Sequence, residues 1–423
     1  MADIADLLAF LDASPTPYHA AAEADRRLAA AGSTPLALDD AWSDPPARGH
    51  VLADGAVIAW ALPATGPAAP PLRLVGAHTD SPGLRIKPRP DTGAAGWRQL
   101  AVEVYGGALV NSWLDRDLGL AGRVAVLGPD GPTTRLLRVD RPLLRVPQLA
   151  IHLDREITSQ GLRLDRQRHL TPVWDVGPVD PGGFRRFVAA ALDVDPDGVS
   201  GWDLMVHDLS PAALLGVEGA LVSSGRLDDL CSCWAAVSAL TTVADGRDTG
   251  SVVALFDHEE VGSVSTRGAA GRLLEDVLER VVAGRGGSRA DLRRSLASSM
   301  LASADMAHAT HPNYAERHEP GHPITIDGGP VVKINANQRY ATEPATRAAF
   351  ELACDAAGVP VQHFVGHNEV PCGSTIGPAT AAGLGLATVD VGVAQLAMHS
   401  ARELCGARDP VRMVDALGAW FTP

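Results

Sequence analysis

The sequence is poor in cysteine, and its cysteines have no metal-binding or disulfide pattern. Cys231, Cys233, Cys354, Cys372 and Cys405 are odd in number, and no two of them have the CxxC spacing. A disulfide framework and a cysteine-rich zinc finger are therefore both disfavoured. We expect reduced thiols packed as small apolar groups, which is typical of proteins in a reducing compartment.

The chain also lacks an excess of positive charge. It has 36 Lys and Arg against 50 Asp and Glu, which gives a formal net charge of −14 at pH 7. Nucleic acid and anionic membranes bind basic surfaces, so we expect neither as a main partner. No run of about eighteen apolar residues could span a membrane, and the first residues lack a signal-peptide pattern. These absences predict a cytoplasmic location.

The sequence contains enough apolar residues to form a large core. A chain of 423 residues with 46% hydrophobic content predicts two domains. A strand is predicted over 51–62, and after residue 222 short apolar strands alternate with helices, which indicates an α/β fold whose central mixed sheet is covered by helices. Residues 87–220 instead have short β-type runs separated by Gly, Pro and Asp. We predict an α/β domain from residues 1–86 and 221–423, with a β-rich domain at 87–220 inserted into it.

Residues of the types that bind metals lie at the ends of the predicted strands and helices. They are His78 and Asp80 after strand 72–76, Asp228 before a helix near residue 230, Glu259 and Glu260 after strand 251–256, Asp305 after strand 300–302, and His399 after strand 387–391. Open α/β sheets bind ligands beyond the carboxyl ends of their strands. We therefore expect these residues to converge on one crevice.

The residue types suit a pair of zinc ions. Two histidines and three carboxylates are enough for two Zn²⁺ if one carboxylate is shared. Three carboxylates and a bridging hydroxide also balance the metal charge, so the site tolerates burial. Asp80 can accept the ring proton of His78 that the metal does not use. Glu259 and Glu260 point to opposite sides if their segment is extended, so one can bind metal while the other transfers a proton.

Each feature has an ordinary structural interpretation when it is taken alone. His78 could lie in a turn, and Asp228 and Asp229 could cap a helix. Glu259 and Glu260 could be solvated charges of a loop, and His399 could be an ordinary surface or core histidine. The prediction therefore depends on their combination. A histidine-rich segment could suggest a separate metal site, but exposed histidines are the simpler interpretation for His308, His311, His318 and His322.

Seven strings of residues surround these positions. They are VGAHTDSPGLR (75–85), GRLDDLCSC (225–233), DHEEVGS (257–263), SADMAHATHPNY (303–314), GPVVKIN (329–335), PCGSTIGP (371–378) and QLAMHS (395–400). Together they closely resemble the aspartyl aminopeptidase family of zinc metallopeptidases, and the resemblance runs from near Ser14 almost to the C-terminus. The segments 262–268 and 367–369 depart from the family pattern. Both are near predicted substrate-facing loops, so they bear on residue preference more than on chemistry.

The resemblance implies two Zn²⁺ per subunit and a ligand set for each. One zinc would be bound by His78 and Asp305, and the other by Glu260 and His399. Asp228 would bridge them. The implied fold is that of the co-catalytic zinc peptidases, with the β-rich insertion serving as a dimerisation domain. The resemblance also implies a homo-oligomer in which dimers assemble into a dodecamer.

Four further roles follow from the resemblance. Glu259 would be the general base, and Asp80 the partner of His78. His152 would reach into the active site of the neighbouring subunit. Lys333, a lone charge on an apolar strand, would lie in the specificity pocket, although a snorkelling surface lysine is the alternative interpretation. Weaker candidates for that pocket are Arg267 and Arg339.

The predicted function is hydrolysis of the first peptide bond of peptide substrates, with a preference for Asp or Glu at the N-terminus. The alternatives are the same mechanism with a neutral preference, or a related zinc carboxypeptidase or amidohydrolase. A non-catalytic scaffold protein is a further alternative. It is disfavoured because the five ligands, the base and Asp80 are all present.

Overall fold

A computed structural model describes residues 3–422. The chain folds as two compact units. Unit 1 consists of the residues up to Asp80, Ala212–Met398 and the residues from Glu403 onward. Unit 2 consists of Ser81–Pro211 and His399–Arg402. The boundaries predicted from sequence, 87 and 220, lie six and nine residues later in the chain than those of unit 2, and the segment 399–402 was not anticipated.

The helices are α1 Ile4–Ala13, α2 Pro17–Ala30, α3 Ile157–Gln160, α4 Gly183–Leu192, α5 Leu227–Thr241, α6 Leu273–Gly284, α7 Arg289–Ala297, α8 Pro344–Ala357, α9 Ile376–Leu384 and α10 Asp409–Phe421. Short 3-10 turns lie at Val110–Trp113, Pro196–Gly198, Glu259–Val261 and Ala315–Arg317. None of the helices in residues 3–422 is long and apolar enough to cross a membrane.

The strands of the first half are β1 Thr34–Pro35, β2 Arg48–Ala53, β3 Ala56–Ala61, β4 Leu72–His78, β5 Gly83–Ala94, β6 Trp97–Tyr105, β7 Leu118–Gly128, β8 Gly131–Leu144, β9 Val173–Val176 and β10 Val199–Asp208. Those of the second half are β11 Ala213–Leu215, β12 Leu221–Ser224, β13 Gly250–Phe256, β14 Met300–Ala304, β15 Ala307–His308, β16 Val331–Ile334, β17 Gln362–Val365, β18 Ala387–Gly392, β19 Ala394–Leu396 and β20 Glu403–Gly406.

Unit 1 is built on a nine-stranded mixed sheet in the order β1-β2-β3-β13-β4-β14-β18-β16-β17. Strands β13, β4, β14 and β18 are parallel to one another, while β3 and β16 pair antiparallel with their neighbours β13 and β18. Helices cover both faces of this sheet. The predicted fold class, a central mixed sheet covered by helices, is confirmed.

The central strands are apolar throughout because both of their faces are buried. Along β13, Val253 and Leu255 pack with residues of α1, α2, α5 and α10, whereas Val252, Ala254 and Phe256 pack with residues of α6, α7 and α9. Every residue of β13 is buried. The residues that follow such a strand therefore emerge from the core at one edge of the sheet.

The strand predicted over residues 51–62 is a hairpin. Its two strands, β2 and β3, pair antiparallel across a turn at Asp54 and Gly55, where Asp54 has φ +54°. Asp-Gly is a favoured hairpin dipeptide because the turn needs residues that tolerate positive φ. The prediction of a single strand was wrong because this turn signal was overlooked.

Unit 1 also contains a five-stranded sheet in the order β11-β12-β20-β19-β15. Unit 2 contains a six-stranded antiparallel sheet in the order β8-β7-β10-β5-β6-β9. The core of unit 2 combines residues of this sheet with Phe184 and Val188 of α4. These strands account for the β-rich texture of the sequence in this region.

Candidate metal centre

Three neighbouring parallel strands bring candidate residues of unit 1 to one edge of the sheet. In register, Phe256 at the end of β13 is opposite His78 at the end of β4, and Ser303 of β14 is opposite Gly76 of β4. The residues that follow β13 and β14 therefore emerge beside His78. This edge is the crevice predicted beyond the carboxyl ends of the strands.

His78 lies between two of the carboxylates predicted to bind metal. Its Nε2 is 3.3 Å from Asp228 Oδ1 and 3.9 Å from Asp305 Oδ1. All three side chains are buried, and each offers one ligand atom within 4.8 Å of the others. Burial raises the pKa of Asp305 to about 6. Burial opposes a charge on His78, but hydrogen bonds to Asp228 and Asp80 raise its pKa well above the ordinary value.

Two oxygen atoms of Asp80 lie near Nδ1 of His78. His78 Nδ1 is 3.0 Å from the backbone carbonyl oxygen of Asp80 and 3.5 Å from its carboxylate Oδ1. A proton on Nδ1 leaves Nε2 as the ring nitrogen that faces Asp228 and Asp305. The Asp80 carboxylate accepts the backbone N–H groups of Glu259 at 3.0 Å and Glu260 at 3.2 Å. Asp80 therefore orients both His78 and the segment that contains the two glutamates.

Glu259 and Glu260 lie in a 3-10 turn, not in the extended segment that the sequence argument assumed. The extended conformation was wrongly expected, because β13 ends at Phe256, before the glutamates. Each glutamate nevertheless offers an oxygen within 4.8 Å of a nitrogen of His78, so both reach the cluster. Burial raises the pKa of Glu259 to about 8. Glu259 is therefore a carboxyl group that can hold a proton near neutral pH.

Asp228 and Asp229 are buried at the start of α5, and neither is an ordinary solvent-facing helix cap. The backbone N–H of Asp228 donates to Glu403 Oε2 at 3.0 Å. Asp229 Oδ2 accepts the backbone N–H of His78 at 3.1 Å, and burial raises the pKa of Asp229 well above its usual range. No functional role was predicted for Asp229 or Glu403 from the sequence. Asp229 was visible as the neighbour of Asp228, but Glu403 lies in no motif that could have identified it.

Lys333 is neither a surface lysine nor a lone charge. It is 2% exposed on β16, and its Nζ donates to the carbonyl oxygen of Met306 at 3.2 Å. Nζ is also 3.7 Å from Asp305 Oδ2 and 5.1 Å from the ring centroid of Tyr340. Lys333 is opposite the buried Asp390 in the register of β16 and β18. The ammonium group therefore lies directly beside a predicted metal ligand.

The two arginines considered for the specificity pocket differ in their surroundings. Arg267 Nη1 is 2.8 Å from Asp54 Oδ2, and its Nε is 3.7 Å from the buried Asp257. Arg339 is exposed. The charge of Arg267 is thus already balanced by two carboxylates, which makes it a poor candidate for binding a substrate carboxylate.

His399 and His152 belong to unit 2. His399 is partly exposed with φ +66°, and its Nδ1 is 3.2 Å from the carbonyl oxygen of Gly107. His152 is exposed in a turn that follows Ala150. The ligand role of His399 and the substrate role of His152 stay predictions, as do the roles assigned to the residues of unit 1.

The histidine-rich segment shows no metal site in the part of the chain that the structure describes. None of the residue groups there that could hold a metal includes His308, His311, His318 or His322. These histidines make other contacts, and His311 Nδ1 accepts the backbone N–H of Asn313 at 3.1 Å. His318 Nε2 accepts the backbone N–H of His311 at 3.0 Å, and His322 Nδ1 is 2.5 Å from Glu319 Oε2.

The cluster around His78 has the donors that zinc prefers. An imidazole nitrogen and carboxylate oxygens are common zinc ligands in proteins. Several carboxylates buried this closely are unfavourable without a cation, which explains why burial raises the pKa values of Asp229, Glu259 and Asp305. The residues present therefore fit a bound divalent metal.

The sequence matches the family model described as "Aminopeptidase I zinc metalloprotease (M18)" over residues 10–421. It is 55% identical over 422 residues to "Probable M18 family aminopeptidase 2" of Streptomyces coelicolor, covering 99% of this chain and 97% of that protein. It is 50% identical over 423 residues to the protein of the same description from Mycobacterium tuberculosis, covering 98% of this chain and 97% of that protein.

Solved structures with the same fold support this relationship. A chain in the solved complex of Ape4 and Nbr1 has a TM-score of 0.95 at 35% identity, covering 99% of this chain and 85% of that chain. The S. cerevisiae mApe1 dodecamer has a TM-score of 0.86 at 27% identity, covering 99% of this chain and 96% of that chain. The chain therefore belongs to the M18 family of zinc metalloproteases and is a metal-dependent aminopeptidase.

Proposed function

We propose that this aminopeptidase releases acidic N-terminal residues from peptides and uses two zinc ions in each subunit. The observation that carries the proposal is the buried cluster of His78, Asp228 and Asp305, with Glu259 beside it. His78 and Asp305 would hold one zinc, Glu260 and His399 the other, and Asp228 would bridge them. Zinc at such a site lowers the pKa of a water molecule and polarises the scissile carbonyl group.

Glu259 is the proposed general base. It takes a proton from the attacking water and delivers it to the leaving amine, a role that typically contributes about 10²–10⁴-fold in rate. Burial raises the pKa of this carboxyl group in the metal-free protein, which favours the protonated form that the base reaches after it takes the proton. The Asp80 carboxylate holds the backbone N–H of Glu259 at 3.0 Å, which keeps the base in one position. Carboxylates of the cluster can also bind the free α-amine of a peptide, which restricts cleavage to N-termini.

The test of this function compares free and N-acetylated peptides of the same sequence. The purified protein should remove the first residue of the free peptide and leave the acetylated one intact. Activity should disappear on chelation and return on addition of zinc. Cleavage at the C-terminus, or equal cleavage of both peptides, would instead indicate the carboxypeptidase or amidohydrolase alternative.

The acidic preference is proposed from the resemblance and from Lys333. The chain carries a net negative charge, so a substrate carboxylate needs a local cation. Lys333 is a buried cation beside the proposed metal ligand Asp305, at 3.7 Å. Its ammonium group has three N–H donors and donates one to Met306, so another could turn to a substrate carboxylate.

We also propose that the protein forms dimers that assemble into a dodecamer in the cytoplasm. One solved relative, mApe1 of S. cerevisiae, is described as a dodecamer. The free cysteines, four of them buried, suit a reducing compartment. Size measurement in solution by light scattering tests the assembly, and a mass near twelve chains is the expected result.

His152 is proposed to act across the dimer. Mixed dimers with His152→Ala on one subunit and Glu259→Gln on the other separate the two possibilities. If the histidine acts in trans, the His152→Ala subunit keeps its own base and uses the histidine of its partner, so one site works. If it acts in cis, both sites are damaged. An inactive mixed dimer, or a fully active monomer, would contradict the trans role.

A further inference from the structure

Glu403 is a buried carboxylate that none of the proposed catalytic steps uses. It lies at the start of β20, opposite Ser224 of β12 in the five-stranded sheet, and is 2% exposed. Glutamate is rarely buried to this extent unless it is paired or hydrogen-bonded, because removing its charge from water is costly. A buried glutamate on a short strand therefore needs a partner that compensates for this cost.

One such partner is the backbone of Asp228. Glu403 Oε2 accepts the N–H of Asp228 at 3.0 Å. The first N–H groups of a helix have no acceptor within the helix, and the residue at the N-cap of α5, Arg226, makes no side-chain cap hydrogen bond. Glu403 supplies that acceptor from another element. Its negative charge also suits the N-terminus of a helix.

The bond matters because Asp228 is not held by helical geometry. It has φ −83° and ψ +104°, which is outside the helical region although it lies in the first turn of α5. Its orientation therefore depends on external contacts. Its Oδ1 reaches His78 Nε2 at 3.3 Å, while its N–H is held by Glu403. Glu403 thus fixes the backbone from which the Asp228 carboxylate extends toward His78.

We propose that Glu403 is a positioning residue that sets the metal-binding orientation of Asp228. The inference rests on the proposed function, in which Asp228 is a ligand shared by the two metals. Loss of Glu403 should weaken metal binding because the shared ligand loses its fixed backbone. Groups that orient metal ligands in this indirect way typically contribute about 10–100-fold in metal affinity.

Asp409 provides a matched control. It is also a buried carboxylate at the start of a helix, α10, and its Oδ1 accepts the backbone N–H of Gly329 at 2.9 Å. Neither Asp409 nor Gly329 is among the proposed ligands. Replacement of Asp409 therefore removes the same kind of bond, together with an ion pair to Arg412 at 3.1 Å, without touching Asp228.

The experiment compares four full-length proteins, which are the wild type and the variants Glu403→Ala, Glu403→Gln and Asp409→Ala. For each protein it measures the zinc affinity, by competition with a chelator, and the melting temperature. Both alanine variants should melt at lower temperature. Glu403→Ala alone should bind zinc about 10–100-fold more weakly. Glu403→Gln keeps an oxygen that can accept the Asp228 N–H but loses the charge, so its affinity should lie between those of the wild type and Glu403→Ala. The visible spectrum of the cobalt-substituted protein should change only in the Glu403 variants.

Zinc affinity in Glu403→Ala equal to that of the wild type would overturn the inference. The inference would also be overturned if Asp409→Ala lost as much zinc affinity as Glu403→Ala when both variants show the same fall in melting temperature. If Glu403→Ala does not fold, Glu403→Gln decides, and an affinity equal to that of the wild type overturns the inference. Failure of the proposed function is distinguishable, because it would appear as absent zinc binding in the wild-type sample itself.

Discussion

The two units of the chain differ in charge and in what they bury. Unit 2 has 17 basic and 16 acidic residues, which leaves 19 basic and 34 acidic residues for unit 1. The excess negative charge of the protein thus belongs to unit 1. Among the described residues, nearly all buried acids are also in unit 1, and the buried acid of unit 2 is Asp208, which pairs with Arg116 at 3.0 Å.

Both units have an apolar core, but unit 1 also buries several acids close together. The six-stranded sheet of unit 2 is stabilised by an apolar core, and its buried acid has an arginine partner. Unit 1 instead collects Asp228, Asp229 and Asp305 around one histidine. Buried carboxylates are destabilising unless a cation or hydrogen bonds compensate them. A bound divalent metal would supply that compensation in unit 1.

The largest effect is expected from removing a buried acid of unit 1, with removal of the buried acid of unit 2 as the control. Asp228→Ala should lose bound zinc and lose more cleavage rate than the roughly 10–100-fold typical of groups that only orient a ligand, because it removes a proposed ligand itself. Asp208→Ala breaks the ion pairs of Asp208 with Arg116 and Arg402 in unit 2 and should keep both zinc and activity. Elemental analysis after dialysis and a peptide-cleavage assay measure the two properties. Two tightly bound zinc ions in Asp228→Ala would contradict the ligand assignment.

Glu259→Gln should separate chemistry from metal binding within unit 1. The variant should keep its metal and its fold but lose about 10²–10⁴-fold in turnover, because only the proton transfer is removed. Glu260→Gln, its neighbour in the 3-10 turn, should lose metal instead. Turnover and bound zinc are measured on the same samples. A Glu259→Gln protein that retains more than about a tenth of the wild-type rate would show that another group is the base.

Lys333→Met should change substrate preference. The value of KM should rise far more for a peptide with N-terminal Asp than for one with N-terminal Leu, because the variant lacks the cation proposed to bind the acidic side chain. Lys87→Met, at the other lysine of the chain, is the control and should behave as the wild type. An equal loss on both peptides would remove Lys333 from the pocket and indicate that it serves Asp305. A wild-type preference for Leu would overturn the acidic specificity but not the metal chemistry.

A smaller effect is expected on the pH dependence of stability in the metal-free protein. The pKa values of Asp305 and Glu259, about 6 and about 8, and that of His78 are all raised in the folded state. The folded state therefore binds more protons than the unfolded state, and the free energy of unfolding falls as pH rises. The melting temperature of the metal-free protein should decrease between about pH 5 and about pH 8, as measured by calorimetry. A decrease of the same size in the zinc-loaded protein, or an increase in the metal-free one, would contradict this account.

Much of unit 1 could be predicted because its parallel strands are continuous apolar runs. Strands β4, β13, β14 and β18 lie where those runs are, and the ligand-type residues that follow them were identified from their position. The alternation of strands with helices was enough to indicate the mixed α/β sheet. Short strands such as β11, β15 and β19 have two or three residues, which is too little for any periodicity to be seen.

The contacts that support the site could not be predicted, because they join residues that are distant in sequence. Glu403 reaches Asp228 across 175 positions, and Asp80 reaches Glu259 across 179. The pairing of Lys333 with Asp305 depends on side-chain packing in the folded sheet, which no local pattern records. The turn at Glu259 was mistaken for extended chain because adjacent acids have no periodicity that separates a strand end from a 3-10 turn.

The central claim is that the buried acids of unit 1 bind two zinc ions that are required for cleavage. Metal-free protein, prepared by chelation, can be titrated with zinc while bound zinc and the cleavage rate of a peptide with N-terminal Asp are measured together. The account predicts two zinc ions per chain at saturation, and activity that returns as the sites fill. Saturation at one zinc per chain, or full activity in the metal-free protein, would contradict it.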